Sequence, residues 1–236
     1  MMKFAIIAAG EGSRLAEEGV SLPKPLVRLN GEAMVERLMR IFKANGAEEI
    51  VVIVNRLHPA TEAFVRQLAD SGRMGRVRIV AKTTPGSMYS FHELSPWLSD
   101  APFCLTTVDT VFREDEFSAY VRRFMQGEED GLMAVTDYVD DEKPLYVATD
   151  EQMNITGFHD SDVGDRFISG GVYCLRPHTL SMLDRCMQAG QVRMRDFQRG
   201  LVADGFRLKA YAFSKILDVD HAGDIVKAEA FLSEKR

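Results

Sequence analysis

Phe4-Ala5-Ile6-Ile7-Ala8-Ala9 runs directly into Gly10-Glu11-Gly12-Ser13-Arg14-Leu15, and after a short spacer comes Pro23-Lys24-Pro25-Leu26. Six apolar residues closed by a glycine are too few for a globular helix and read as a buried strand. A strand that ends in a glycine-rich turn directs backbone N–H groups outward, where they can bind an anion. Arg14 and Lys24 add two cations, and prolines on both sides of Lys24 fix the path of the chain there. The segment therefore reads as a phosphate site. It is not a Walker A loop, because Ser13-Arg14 follows Gly12 where Lys-Ser/Thr would be required. Nor is it the dinucleotide fingerprint, because Leu15 stands where that motif has its third glycine.

Working outward, strand and helix signals alternate. Residues 3–8 are the first strand. Met34, Val35, Leu38, Ile41 and Phe42 predict a helix over 32–45, ended by Asn45-Gly46. Strands are expected at 49–54, 77–81 and 103–108, with helices at 60–70 and 88–97 between them. This order implies a parallel sheet with right-handed crossovers. The second half changes character. Short strands are expected at 132–136, 145–149, 152–158, 167–175, 206–213 and 215–219, and helices at 179–188, 193–203 and 222–234.

The 236 residues suit one large α/β domain, though length alone also permits two small ones, and 46% hydrophobic with 27% charged residues is ordinary for a soluble globular chain. A net charge of −6 argues against a general nucleic-acid or anionic-membrane surface, though not against a nucleotide, which a few local cations can hold. Cys104, Cys174 and Cys186 are few, scattered and odd in number, which fits reduced core residues of a cytoplasmic protein. No Cys/His cluster suggests zinc, and no stretch has the pattern of a signal peptide or the length of a membrane span.

Three further segments carry possible chemistry. Ligands of open α/β sheets bind beyond the carboxyl ends of the strands, and Asp109 lies there, after Val108. From position alone it is either a Mg²⁺ ligand or a turn cap. Asp218 and Asp220 flank Val219, and strand alternation would put both on one face, where they repel unless a cation or solvent relieves them. Gly86 and Ser87 open a helix and can either accept the edge of a base or cap the helix.

Ala-Ala-Gly-Glu-Gly-Ser-Arg-Leu followed by Pro-Lys-Pro-Leu resembles the signature of the nucleotidyltransferases that make nucleotide-activated sugars and related alcohols, including the phosphocholine-type enzymes. The resemblance implies an α/β fold: a Rossmann-like, mixed and mostly parallel sheet flanked by helices in a single domain. A nucleotide-binding half (about 1–112) and an acceptor-binding half (about 113–236) would share that sheet. It also implies a reaction that joins a nucleoside triphosphate to a phosphorylated acceptor and releases pyrophosphate, with Mg²⁺ as cofactor. Gly10, Gly12, Ser13 and Arg14 would cradle the triphosphate, with Lys24 on the reacting phosphates. Ala8 and Ala9 would allow base or ribose a close approach, and Gly86 and Ser87 would meet the base.

By the same resemblance Asp109 is the first metal ligand, although Val108 replaces the usual glycine before it. Asp220, or Asp218 close behind, is the second, although His221 stands where threonine is usual. Ser169, Gly170 and Gly171 would line the acceptor pocket. His159-Asp160-Ser161-Asp162 departs from the Glu-Lys-Pro of many sugar-phosphate members. That acidic replacement suits either a cationic acceptor such as phosphocholine or a merely solvated loop. Two rivals remain at this level: a non-catalytic nucleotide-binding regulator, and a glycosyltransferase that uses a nucleotide sugar on a similar fold.

Overall fold

The computed structural model describes residues 1–140 and 142–234. In chain order the first half contains β1 (Met2–Ala8), α1 (Ser13–Glu17), β2 (Arg28–Leu29), β3 (Glu32–Ala33), α2 (Met34–Ala44), β4 (Ala47–Val54), α3 (Pro59–Asp70), β5 (Val77–Ala81), α4 (Ser87–Leu94), β6 (Phe103–Thr107) and β7 (Thr110–Val111). The second contains α5 (Glu114–Gln126), β8 (Gly131–Thr136), β9 (Tyr146–Thr149), β10 (Ile155–His159), β11 (Phe167–Leu175), α6 (Leu180–Gln188), α7 (Met194–Ala203), β12 (Leu208–Ala212), β13 (Leu217–Asp218) and α8 (Ala222–Ser233).

One nine-stranded sheet runs β10-β9-β11-β6-β1-β4-β5, with β8 added beside β11 and β12 beside β8. β5, β4, β1 and β6 are parallel, as the alternating order predicts. β11 turns the sheet mixed, because it pairs antiparallel with β6, β8 and β9. β1 is buried at every position, which explains its unbroken apolar run. Its alternate residues feed opposite layers. Phe4, Ile6 and Ala8 join the core under α2, α3, α5 and α8, while Ala5, Ile7 and Ala9 join the core under α4, α6 and α7.

Where β11 passes the end of β6 the sheet opens. β11 pairs with β6 over Val172–Leu175 and with β9 over Phe167–Ile168, and Gly170 and Gly171 between them pair with neither. Gly171 has φ +70, and a Cβ on Gly170 would stand 2.2 Å from Ile216 Cδ1. Gly171 has the left-handed backbone that favours glycine, and Gly170 leaves room for the Ile216 side chain. The gap lies beside the carboxyl ends of β1 and β6, where the glycine loop and Asp109 emerge.

Three local differences from the sequence expectation have physical causes. The helix predicted over 32–45 begins at Met34, because Glu32 and Ala33 pair with Leu29 and Arg28. Residues 95–97 tighten into a 3₁₀ turn as Pro96 interrupts the α-helical bonding of α4. α1 and α5 were not anticipated. α1 has five residues, too few for a periodicity, whereas α5 has an acidic first turn and Phe117, Tyr120, Val121 and Phe124 on one buried face, a pattern open to reading.

Candidate active site

The glycine loop and the proline-flanked lysine are built against each other. Gly12 adopts φ +65 at the start of α1, and a Cβ there would stand 3.2 Å from Lys24 Cβ. Lys24 begins a 3₁₀ turn after Pro23, whose extended backbone (φ −53, ψ 139) delivers it under the loop. The Lys24 side chain is only 12% exposed, and its ammonium lies 2.5 Å from Asp109 Oδ2 and 2.6 Å from Asp220 Oδ1. Arg14 Nη1 donates to the other oxygen of Asp220 at 3.0 Å. Burial by itself would push the Lys24 ammonium down, but the two carboxylates outweigh it and hold its pKa above the ordinary lysine value. The second oxygen of Asp109, Oδ1, is buried without a hydrogen-bond partner among the described residues.

A cavity of about 560 Å³ opens over this cluster. Every residue expected at the nucleotide from the sequence lines it: Ala8, Ala9, Gly10, Gly12, Ser13, Arg14, Gly86 and Ser87, together with Lys24, Asp109 and Asp220. Thr84, Ser90 and Thr107 line it too, and sequence reasoning did not single them out. Thr84 and Ser90 share a hydroxyl hydrogen bond of 2.6 Å. Behind them Asn55, buried at the end of β4, donates to Ala9 O at 3.1 Å and accepts from Thr83 Oγ1 at 2.8 Å. Asn55 thereby ties the loop after β1 to the loop before α4. An Asn directly after an apolar strand was the available signal.

Two more cavities flank β11. One of about 380 Å³ meets Arg14, Ser169, Gly170, Asp218 and Asp220, and its wall is acidic: Asp140, Glu142 and Asp224 add to the aspartates. Its cations are already paired, Arg14 with Asp220 and Lys227 with Asp140 at 2.9 Å and Asp224 at 3.3 Å. The other, about 480 Å³, meets Ser169, Gly171, Tyr173 and Asp218 and carries Lys143, Arg193 and Arg195. It shares Gly86, Ser87 and Thr107 with the nucleotide-side cavity.

The two late aspartates separate here. β13 ends at Asp218, so strand alternation does not extend to Asp220. Asp220 is brought against Lys24, whereas Asp218 lines the two cavities beside β11. His159–Asp162 lines none of the three cavities. Asp160 is engaged by Arg195 and by Arg199, the latter at 2.7 Å, and His159 Nδ1 lies 2.6 Å from Asp165 Oδ2. Asp160 is thus paired within the protein, and the loop lies away from the three cavities, so it gives no reason to expect a cationic acceptor.

The segment carrying Asp220 is held from several sides. Val219 N–H donates to Asp109 O at 3.1 Å. Asp224 accepts from the N–H groups of Asp220 and His221. Glu18, just past α1, takes His221 Nδ1 at 2.5 Å and Ala222 N–H at 2.6 Å. The hydrogen bond from His221 lowers the Glu18 carboxyl, and the same bond raises His221.

Comparison with known proteins bears on the family and the fold. The profile of the MobA-like NTP transferase domain matches residues 4–200. A bifunctional IPC transferase and DIPP synthase of Thermococcus kodakarensis is 28% identical over 154 residues, 65% of this chain and 31% of that protein. A glucose-1-phosphate cytidylyltransferase of Salmonella typhimurium is 33% identical over 51 residues, 22% of this chain and 20% of that protein. The chain thus spans less than a third of the length of these curated relatives. The solved inositol-1-phosphate CTP transferase from T. maritima superposes with a TM-score of 0.80 at 23% identity, covering 99% of this chain and 97% of that one, and so shares the fold.

Proposed function

The chain belongs to the MobA-like NTP transferase family, and from that premise we propose that it joins a nucleoside triphosphate to a phosphorylated acceptor in a magnesium-dependent reaction that releases pyrophosphate. The observation that carries this reading is the meeting of Lys24 with Asp109 and Asp220 beside the glycine loop. Two cations and two carboxylates at one end of a cavity suit a polyphosphate and its counter-ion.

Asp109 and Asp220 would hold the ion. Mg²⁺ takes one or two carboxylates and completes its shell with phosphate oxygens and water. Among the described residues no group of three or more acidic, His or Cys side chains could hold a metal, so the pair matches the demand of Mg²⁺ better than that of a protein-caged ion. The unpartnered buried oxygen of Asp109 is a further donor without another use. When bound, the ion would polarise phosphoryl oxygens and offset the charge of the leaving pyrophosphate.

The chain's own groups do the rest. The nucleophile is an oxygen of the acceptor phosphate, whose second pKa near ~6 leaves it ionised without a general base. It attacks the α-phosphorus in line as pyrophosphate departs. The obstacle is the approach of two anions, and Arg14 and Lys24 reduce it. Ser169, Gly170 and Gly171 would line the acceptor. Its phosphate is favoured on the side that carries Arg193, where Lys143 and the Asp160-paired Arg195 also lie, and is repelled by the acidic wall across β11. Glucose-1-phosphate and inositol-1-phosphate, named in the relatives' activities, are therefore the first acceptors to test, with CTP. The acidity of that wall favours a second reading, a cationic alcohol such as phosphocholine, although Lys215 Nζ already lies 4.1 Å from the centre of the Tyr138 ring. Three free, buried cysteines support a reducing, cytoplasmic setting.

The test is pyrophosphate release from each of the four triphosphates with Mg²⁺ and a panel of these acceptors. Release with one pair, lost when Mg²⁺ is chelated, is the expected result. Triphosphate binding with no release for any acceptor would point instead to a regulator.

A further inference from the structure

Arg14 and Glu18 lie on one short segment, and both reach the segment that carries Asp220. Arg14 holds the Asp220 carboxylate itself at 3.0 Å. Glu18 holds the two residues that follow, through His221 Nδ1 and the Ala222 N–H. These contacts differ in what a nucleotide does to them. In the reading proposed above, Arg14 is recruited by the triphosphate and so leaves Asp220. Glu18 does not line the nucleotide-side cavity, meets the start of α8 instead, and would keep its partners.

We propose that Glu18 is a positioning residue that fixes the carboxylate of Asp220 relative to the phosphate-binding loop. The reasoning is one of degrees of freedom. Asp224 also binds the backbone of this segment, but it belongs to α8 and moves with it. The Val219 bond to Asp109 fixes the segment to the end of β6. Glu18 adds the tie to α1, and hence to Gly12, Ser13 and Arg14. With both ties in place, the residues that would hold the metal and those that would hold the phosphates keep one geometry while Arg14 and Lys24 change partners. A side chain whose oxygens are both engaged, one by an imidazole and one by a helix-terminal N–H, is well suited to such a clamp. Because the proposal rests on the nucleotidyltransferase reading, its test must separate the two.

The measurement is the affinity of a nucleoside triphosphate, without acceptor, in Mg²⁺ and in EDTA. The wild type is expected to bind more tightly in Mg²⁺. Glu18→Ala should lose most of that gain, about tenfold in Kd, with its EDTA affinity little changed. Glu18→Gln keeps the length and an acceptor for Ala222 N–H and should retain the gain to within about threefold. Should the alanine variant fail to fold, Glu18→Asp, charged but one methylene short, should show the same loss. If Glu18→Ala and Glu18→Asp keep the full magnesium gain, Glu18 is only a surface contact and the proposal falls alone. If the wild type binds no triphosphate, or shows no magnesium gain, the nucleotidyltransferase reading falls and takes the proposal with it.

Discussion

Lys24 shows how few atoms decide this site. Its ammonium bridges carboxylates from two distant segments, Asp109 after β6 and Asp220 before α8. Removing it would leave two acidic groups facing each other and a triphosphate without its nearest cation. Lys24→Ala is expected to cost on the order of 10²–10³ in turnover with the fold intact, the scale of one lost preorganised electrostatic partner, and steady-state pyrophosphate release would measure it. Asp220→Asn should lose comparably and Asp218→Asn much less, since Asp220 is the residue held against Lys24. Equal losses in both aspartate variants would contradict that division. Gly12 is constrained twice, by φ +65 and by the 3.2 Å approach to Lys24 Cβ. Gly12→Ala should therefore weaken triphosphate binding as well as stability, the latter by about 1 kcal/mol, the cost of one left-handed non-glycine residue.

At the scale of elements, the site depends on helices that do not line its cavities. α2 and α5 are joined by Arg40, which pairs with Glu32 at 2.8 Å and with Glu114 at 2.8 Å. The hydrogen bond from Arg40 holds the Glu114 carboxyl below the ordinary range. A depressed folded pKa stabilises the fold above the unfolded value, near ~4.3, and that contribution is lost as pH falls through the folded value. Glu114→Gln should thus be less stable than wild type at pH 7, by roughly 0.5–1 kcal/mol given the exposure of the pair. The gap should close below about pH 4 in urea titrations. Deeper down, Phe117 of α5 stacks on Phe112 at 4.7 Å and lies 5.6 Å from Phe42 and 6.3 Å from Phe4 of β1. Phe117→Ala should cost about 3–5 kcal/mol, readable as a fall in denaturation midpoint. β1 ends in the glycine loop, so loosening this layer should also raise KM for the triphosphate.

Across the whole molecule, the cavities meet where β11 passes from β6 to β9, and their walls come from both ends of the chain. The segments carrying Gly10–Arg14 and Asp220 close together only in the folded state, so a ligand that bridges them must stabilise the fold. Magnesium with a triphosphate at about 100 times its Kd should add about 2.7 kcal/mol, seen as a rise in Tm. Triphosphate in EDTA should add less, and Asp220→Asn should remove most of the difference. A rise indifferent to magnesium would argue against a metal at these carboxylates.

Much of this was legible in the chain itself. The alternation of apolar runs and helical stripes determines the parallel half of the sheet, because periods of 2 and 3.6 are local properties. The glycine loop, Arg14 and the proline-framed Lys24 were equally visible, since backbone chirality and proline geometry act over a few residues. Tertiary structure alone decided the rest. It chose Asp220 over Asp218 to meet Lys24, a matter of where β13 stops pairing. It engaged Asp160 with Arg195 and Arg199, brought Asn55 behind the nucleotide-side cavity, and gave the two flanks of β11 opposite charge. Each of these depends on groups far apart in sequence that share a few ångströms of space, and no local pattern encodes that distance.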